Sequence, residues 1–178
     1  MIDFITVLII IFLASSLIKI SQSVFIKNNF IDKINHRSSH SVISTRSGGI
    51  AVLSTLLITS TVFYINGFEL YDYSLLIPII ILGVVGIYDD IHSVDFKLKF
   101  IFQVIAAKII IDNGLIIDNF HGMLGLYEIN RVLAQCVTII VICSIINALN
   151  FIDGIDGLAI IEIIKIITIF ILIDKNDS

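Results

Sequence analysis

Long apolar runs broken by short polar stretches set the layout of this 178-residue chain. Six runs, 4–20, 48–65, 75–88, 100–116, 132–149 and 158–173, reach or approach the roughly 17 to 25 residues a helix needs to cross a bilayer. The third is short, and the fourth contains Lys108, whose ammonium can reach the interface from near a helix end. The pattern predicts an all-α, polytopic transmembrane bundle of about six spanning helices, forming one membrane domain over 1–178.

Composition agrees with this layout. At 57% hydrophobic residues and a mean hydropathy of +1.05, the chain has too little polar surface to coat a globule in water. The first run has the look of a signal-peptide core, but no small-residue cleavage site follows it, so we expect a retained helix.

Charge matters here through its position. Lys19, Lys27, Lys33, Arg37 and Arg46 outweigh Asp32 around the first connection, whereas the second carries Glu69 and Asp72 and no Lys or Arg. The first connection is therefore expected in the cytoplasm and the N-terminus outside. Alternation then puts 89–99 and 147–159 inside and 117–131 outside, so the polar-rich stretches fall on one face. A net charge of −4 with no basic stripe excludes nucleic acid as a partner. Cys136 and Cys143, seven apart in one run, lie near the same face of one helix and are expected to be packing residues rather than a disulfide.

Three polar clusters interrupt the apolar pattern. The most unusual is Asn147-Ala-Leu-Asn150-Phe-Ile-Asp153-Gly-Ile-Asp156-Gly-Leu-Ala159, which sets two amides and two carboxylates between apolar runs. A carboxylate at the bilayer centre costs roughly 2.5 to 3.5 kcal/mol on insertion scales, so such a group is a functional hypothesis by default. We expect Asn147 and Asn150 on the last turns of the fifth helix, and Asp153 and Asp156 on a glycine-rich turn entering the sixth. A plain helix end followed by an N-cap explains one Asp and one Gly but not the doubled Asp-Gly.

The second cluster is Gly83-Val-Val-Gly86-Ile-Tyr-Asp89-Asp90, followed by Lys97, Lys99 and Gln103. Adjacent carboxylates resist ionising together unless a cation compensates. Oxygen ligands with substrate phosphates suit Mg²⁺. An isolated Asp-Asp pair is more often a solvated helix end, and only its company argues otherwise. The third cluster is the basic loop from His36 to Gly49, with Arg37, Ser38, His40, Ser41, Ser44, Thr45 and Arg46 ahead of a helix start, a composition suited to phosphate oxygens. On its own this loop needs no role beyond setting topology. His36 and His40 have the spacing of a metal pair but no acidic or Cys partner nearby. Glu162 and Lys165, three apart, are expected to neutralise each other.

In this order the clusters resemble the polyprenyl-phosphate N-acetylhexosamine-1-phosphate transferases of glycosyltransferase family 4, which include phospho-N-acetylmuramoyl-pentapeptide transferase. Asn147-x-x-Asn150-Phe-x-Asp153-Gly-Ile-Asp156-Gly-Leu-Ala159 is similar to the most diagnostic motif of that family. Gly86-x-x-Asp89-Asp90 with Lys99 and Gln103 is similar to its aspartate-pair loop, and Arg37-Ser-x-His40-Ser with Arg46-x-Gly48-Gly49 to its first cytoplasmic loop. Ile43, Thr45 and Ser47 stand where prolines and a third glycine are usual, which loosens that loop.

The resemblance implies transfer of a sugar-1-phosphate from a UDP-amino sugar to undecaprenyl phosphate in a bacterial inner membrane, with release of UMP and Mg²⁺, or Mn²⁺ in its place, as cofactor. It assigns Asp89 and Asp90 as catalytic and Asn150 to the metal. Arg37, His40, Arg46, Lys99, Asn147, Asp153 and Asp156 are assigned to substrate. The later Gly-Asp-x-Gly-Ser motif and final His/Arg-rich loop of the family have no counterpart in these residues. The expectation is thus of roughly the first half of a family member, with either a second chain supplying the rest or a truncated product. Two other readings stay open: an inactive membrane protein that at most binds lipid phosphate, and a small ion-coupled transporter.

Overall fold

The computed structural model describes residues 4–30, 45–68, 72–152 and 158–177, which are helical apart from turns, loops and one isolated bridge between Asn119 and Glu128. Six α-helices follow in order: α1 (Phe4–Lys27), α2 (Gly48–Ile65), α3 (Leu76–His92), α4 (Phe96–Asp112), α5 (Arg131–Ile152) and α6 (Leu158–Asp177). Each of the six expected segments is a helix. Each also packs against the next along the chain, from α1 on α2 to α5 on α6. Short connections make such neighbours antiparallel, so the α3–α4 turn and the C-terminal end of α5 come to the same end of the bundle.

Side-chain distribution identifies the solvent. Among the described residues most buried positions are small or hydroxylated, with Ala51, Thr55, Ser60, Ala106, Ala107, Ala134 and Thr138 all below 9% exposed, and Phe25, Ile111, Pro78 and Gln103 are the larger side chains that join them. Large hydrophobics face outward instead, with Phe4, Phe12, Ile65, Val132 and Phe170 each above 65% exposed. In water this arrangement would be inside out. In lipid it is expected, because apolar surface gains nothing by hiding from hydrocarbon, and small residues let helix backbones approach and pack. Gly83 shows the close approach: a Cβ there would sit 2.7 Å from Leu53 Cδ2 on α2.

Among the described residues, four helical stretches are long and apolar enough to cross a membrane: Phe4–Lys27, Gly48–Ile65, Tyr73–His92, which adds the 3₁₀ turn before α3, and Arg131–Ile152. The other two differ for physical reasons. At 17 residues α4 is about 25 Å long, short of a hydrocarbon core of about 30 Å. On α6, Glu162, Lys165, Asp174 and Lys175 are spread along its length. Lys108 is ion-paired with Asp112, and Lys165 with Glu162, as its spacing predicts.

The far end of the bundle is tied by polar groups. Asp72 accepts the Ser74 N–H at 2.9 Å and caps the 3₁₀ turn Tyr73–Leu75, while the Ser74 hydroxyl donates to Asn113 Oδ1 at the end of α4. The Ile117 N–H donates to Thr138 Oγ1 of α5 at 2.9 Å. Between them, 119–128 folds back on itself through Phe120 N–H to Tyr127 O and Gly122 N–H to Leu126 O. Gly122 sits at φ +86°, where an L side chain would be strained. His121 is exposed. Both cysteines are free. Cys143 is buried, whereas Cys136 is exposed at the outer surface and does not pack inside the bundle.

Candidate functional site

Asp89 lies on the last turn of α3, and the way that helix ends determines its surroundings. Ser93 adopts the left-handed conformation at φ 54°, ψ 83° and donates its N–H to the Asp89 carbonyl at 2.9 Å. This turn brings the Val94 N–H onto Asp89 Oδ1 at 2.8 Å. Asp95, in extended geometry, then starts α4, with the Leu98 and Lys99 N–H groups on its carbonyl. One turn into α4, Lys99 Nζ reaches Asp89 Oδ2 at 2.8 Å. Both oxygens of Asp89 are thus engaged, one by backbone and one by a partly exposed lysine.

Arg46, just ahead of α2, adds a second cation whose charge acts on Asp89. Beside it the Thr45 and Ser47 hydroxyls share a hydrogen bond of 2.9 Å, with Ser47 buried at the N-cap of α2. A Cβ at Gly48 or Gly49 would meet nothing within 4 Å among the described residues, so the first turn of α2 is uncrowded there. Asp90, next to Asp89, is half-buried and interacts with its surroundings. His92 stacks on Tyr88, with ring centroids 4.5 Å apart, and so sits beside the aspartate pair on an exposed face of α3.

The link to the central motif runs through Gln103, one turn beyond Lys99 on α4. Its Oε1 accepts from Asn147 Nδ2 at 2.8 Å, and the same Nδ2 donates to the Cys143 carbonyl at 2.7 Å. Gln103 is 6% exposed, so this is an interior polar bond between α4 and α5. Asn147 and Asn150 lie on the last turns of α5, as their spacing predicts. Asn150 is exposed, and its amide has no hydrogen-bond partner among the described residues.

Of the sequence-predicted residues, Asp89 therefore interacts with Lys99 and Arg46, and Asn147 is held by Gln103 one turn beyond Lys99 on α4, at the end of the bundle where Asp90 and Asn150 also lie on their helices. Arg37, His40, Asp153 and Asp156 lie outside the described residues. Gln103 was legible as a polar residue in an apolar run, on the same face as Lys99 four residues earlier, but nothing in the sequence named its partner.

These groups suit anions and hard cations. Lys99 and Arg46 supply positive charge. Asp90, Asn147 and Asn150 supply carboxylate and carboxamide oxygens, the donor type Mg²⁺ takes. No group of three or more His, Cys, Asp or Glu gathers among the described residues, so they form no soft tetrahedral site of the zinc kind.

Comparison with known proteins is consistent with this geometry. No curated protein and no solved structure matches the chain. A family model, glycosyl transferase family 4, matches residues 73–177, a stretch that includes Asp89, Lys99, Gln103, Asn147 and Asn150. That stretch is more than half of the chain, and the chain accordingly belongs to glycosyl transferase family 4.

Proposed function

We propose that this membrane protein transfers a sugar-1-phosphate from a UDP-N-acetylhexosamine-type donor to a polyprenyl phosphate, for cell-envelope polysaccharide synthesis at the cytoplasmic face of a bacterial inner membrane. The observation that carries this reading is the joining of two distant family motifs: Lys99 pairs with Asp89, and Gln103, one turn on, binds Asn147. A structural ion pair alone would not need the second polar link across α4 and α5.

In the proposed reaction an oxygen of the lipid phosphate attacks the sugar-bearing phosphorus of the diphosphate. The bond from that phosphorus to the bridging oxygen breaks, and UMP leaves with the electron pair. Little covalent chemistry is required of the protein, so positioning and charge neutralisation carry the catalysis. Lys99 and Arg46 would hold the lipid phosphate against the attack trajectory. Asp89 would keep Lys99 in place when no phosphate is bound and compete with phosphate for it. Asp90, on the neighbouring position, would engage the attacking phosphate. Asp153 and Asp156 would line the nucleotide pocket, and Arg37 and His40 the phosphate side. Mg²⁺, or Mn²⁺, held by Asn150 with Asp90, would supply charge neutralisation at the diphosphate.

The test is incorporation of label from a UDP-[¹⁴C]N-acetylhexosamine into undecaprenyl phosphate by membranes carrying this chain together with a C-terminal half containing Gly-Asp-x-Gly-Ser. The reading predicts labelled lipid with Mg²⁺ and none with Asp90→Asn. Absence of labelled lipid from the complemented membranes would leave the alternative of a protein that only binds lipid phosphate. An ion-coupled transporter is disfavoured because the described acids of the site lie at helix ends rather than near the middle of the bundle, where transporter sites lie.

A further inference from the structure

The carboxamide of Asn147 is two-sided, with an acceptor oxygen on one side and an NH2 donor group on the other. Here its orientation is decided by a group that cannot change sides. The Cys143 carbonyl, 2.7 Å away, only accepts, so it is Nδ2 that faces it. The second N–H of the same nitrogen then goes to Gln103 at 2.8 Å, and because Nδ2 donates, the Gln103 atom opposite must be Oε1. Both amide hydrogens of Asn147 are consumed inside the bundle. Its Oδ1 receives no donor among the described residues, and it sits on the half-buried side of α5, five residues before the helix ends.

We propose that Gln103 is a positioning residue that fixes the Asn147 carboxamide so that Asn147 presents an acceptor oxygen to the site, where it receives an electron-poor group. That group is a divalent cation or a ring N–H or hydroxyl of the nucleotide, and not a phosphate oxygen. The inference rests on the proposed reaction only for the identity of the ligand; the orientation itself rests on the two hydrogen bonds. It divides the labour within the site, with anion recognition left to Lys99 and Arg46 and Asn147 facing the opposite charge. A phosphate oxygen placed at Oδ1 would meet lone pair against lone pair.

The test uses the full chain in detergent micelles with ¹⁵N-labelled asparagine. The Asn147 side-chain resonance, assigned by its loss in Asn147→Asp, is expected to exchange with water at least about tenfold more slowly than that of exposed Asn150. The protection should persist in Gln103→Glu, whose oxygen still accepts, and vanish in Gln103→Leu. MnCl₂ and UMP are then titrated separately. The Kd for at least one of them should rise about tenfold in Gln103→Leu and stay near wild type in Gln103→Glu, as expected for loss of one oriented hydrogen bond. Weakening in the Mn²⁺ arm alone identifies a cation at Oδ1, and in the UMP arm alone a nucleotide donor. Binding of inorganic phosphate should be the same in all three proteins.

Should Gln103→Leu fail to fold, Asn147→Asp, which keeps oxygen and removes both N–H groups, is expected to retain Mn²⁺ or UMP binding. Fast exchange of the Asn147 amide in the wild type would overturn the proposal. So would the absence of both Mn²⁺ and UMP binding, Kd values unchanged by Gln103→Leu, phosphate binding lost with Gln103, or both ligands lost in Asn147→Asp. None of these measurements requires transfer. Slow exchange and ligand weakening without any labelled lipid would therefore sink the proposed reaction and leave the role of Gln103 standing.

Discussion

Asp89 is held from two sides, by the Val94 N–H and by Lys99, at 2.8 Å each. Such a carboxylate serves as an anchor for the lysine as much as a free base, which separates its effects on stability and on function. The Lys99–Asp89 pair is about a quarter exposed at each side chain, and the Val94 N–H still holds Asp89 when the lysine is gone, so its loss should cost about 1 kcal/mol. Lys99→Ala should therefore leave the thermal midpoint in detergent nearly unchanged while reducing transfer about a hundredfold, the scale seen on removing one group that stabilises developing charge. A large fall in midpoint with intact transfer would make the pair purely structural. Asn150 gives a cleaner case. Exposed and without a partner among the described residues, it should cost less than about 0.5 kcal/mol as Asn150→Ala, yet raise the Mg²⁺ concentration needed for half-maximal transfer.

At the scale of helices, close approach depends on small residues. Gly83 admits Leu53 to van der Waals distance from the α3 backbone, whereas a Cβ at Gly86 would meet nothing within 4 Å among the described residues. Gly83→Leu should destabilise the α2–α3 contact by about 1 to 3 kcal/mol, the range for overpacking. Gly86→Ala should be neutral or stabilise by up to about 1 kcal/mol through helix propensity. Thermal unfolding of the two variants compares them directly, and equal effects would contradict the close approach at Gly83. The existence and type of every helix were legible in the hydropathy pattern, because a bilayer-length apolar run has few alternatives to helix. Their ends were less so. The pattern places the first C-terminus at Ile20, but the helix continues through Ser21 and Phe25, both buried, to Lys27. It places the fourth start at Phe100, but the Ser93 turn and Asp95 begin it at Phe96. Burial against a neighbour and local turn geometry decided these boundaries, and hydropathy records neither.

At the scale of the whole molecule, the outward-facing large hydrophobics make lipid the solvent, and the charge pattern predicts, as the sequence-based expectation, that the polar end faces the cytoplasm. In a protein with Cys136 and Cys143 replaced by Ser, an impermeant maleimide should label Ser93→Cys only from the cytoplasmic side and Met123→Cys only from the other. The reverse result would invert the topology. The candidate site was legible as residue types and spacing, which placed Asp89 and Lys99 in one cluster and Asn147 in another. That α4 joins them was not legible, since Gln103 and Asn147 are 44 positions apart and meet only once the helices pack.

The central claim is that these clusters form one phosphate-handling site. The measurement that tests it most directly is kcat/KM for sugar-phosphate transfer in the complemented membranes, compared across Arg46→Ala, Lys99→Ala, Asn147→Ala and Lys108→Ala, the last removing a lysine paired at the opposite end of α4. The account predicts a fall of about a hundredfold or more for the first three and less than about threefold for Lys108→Ala. Equal losses across all four, or full activity in any of the first three, would contradict it.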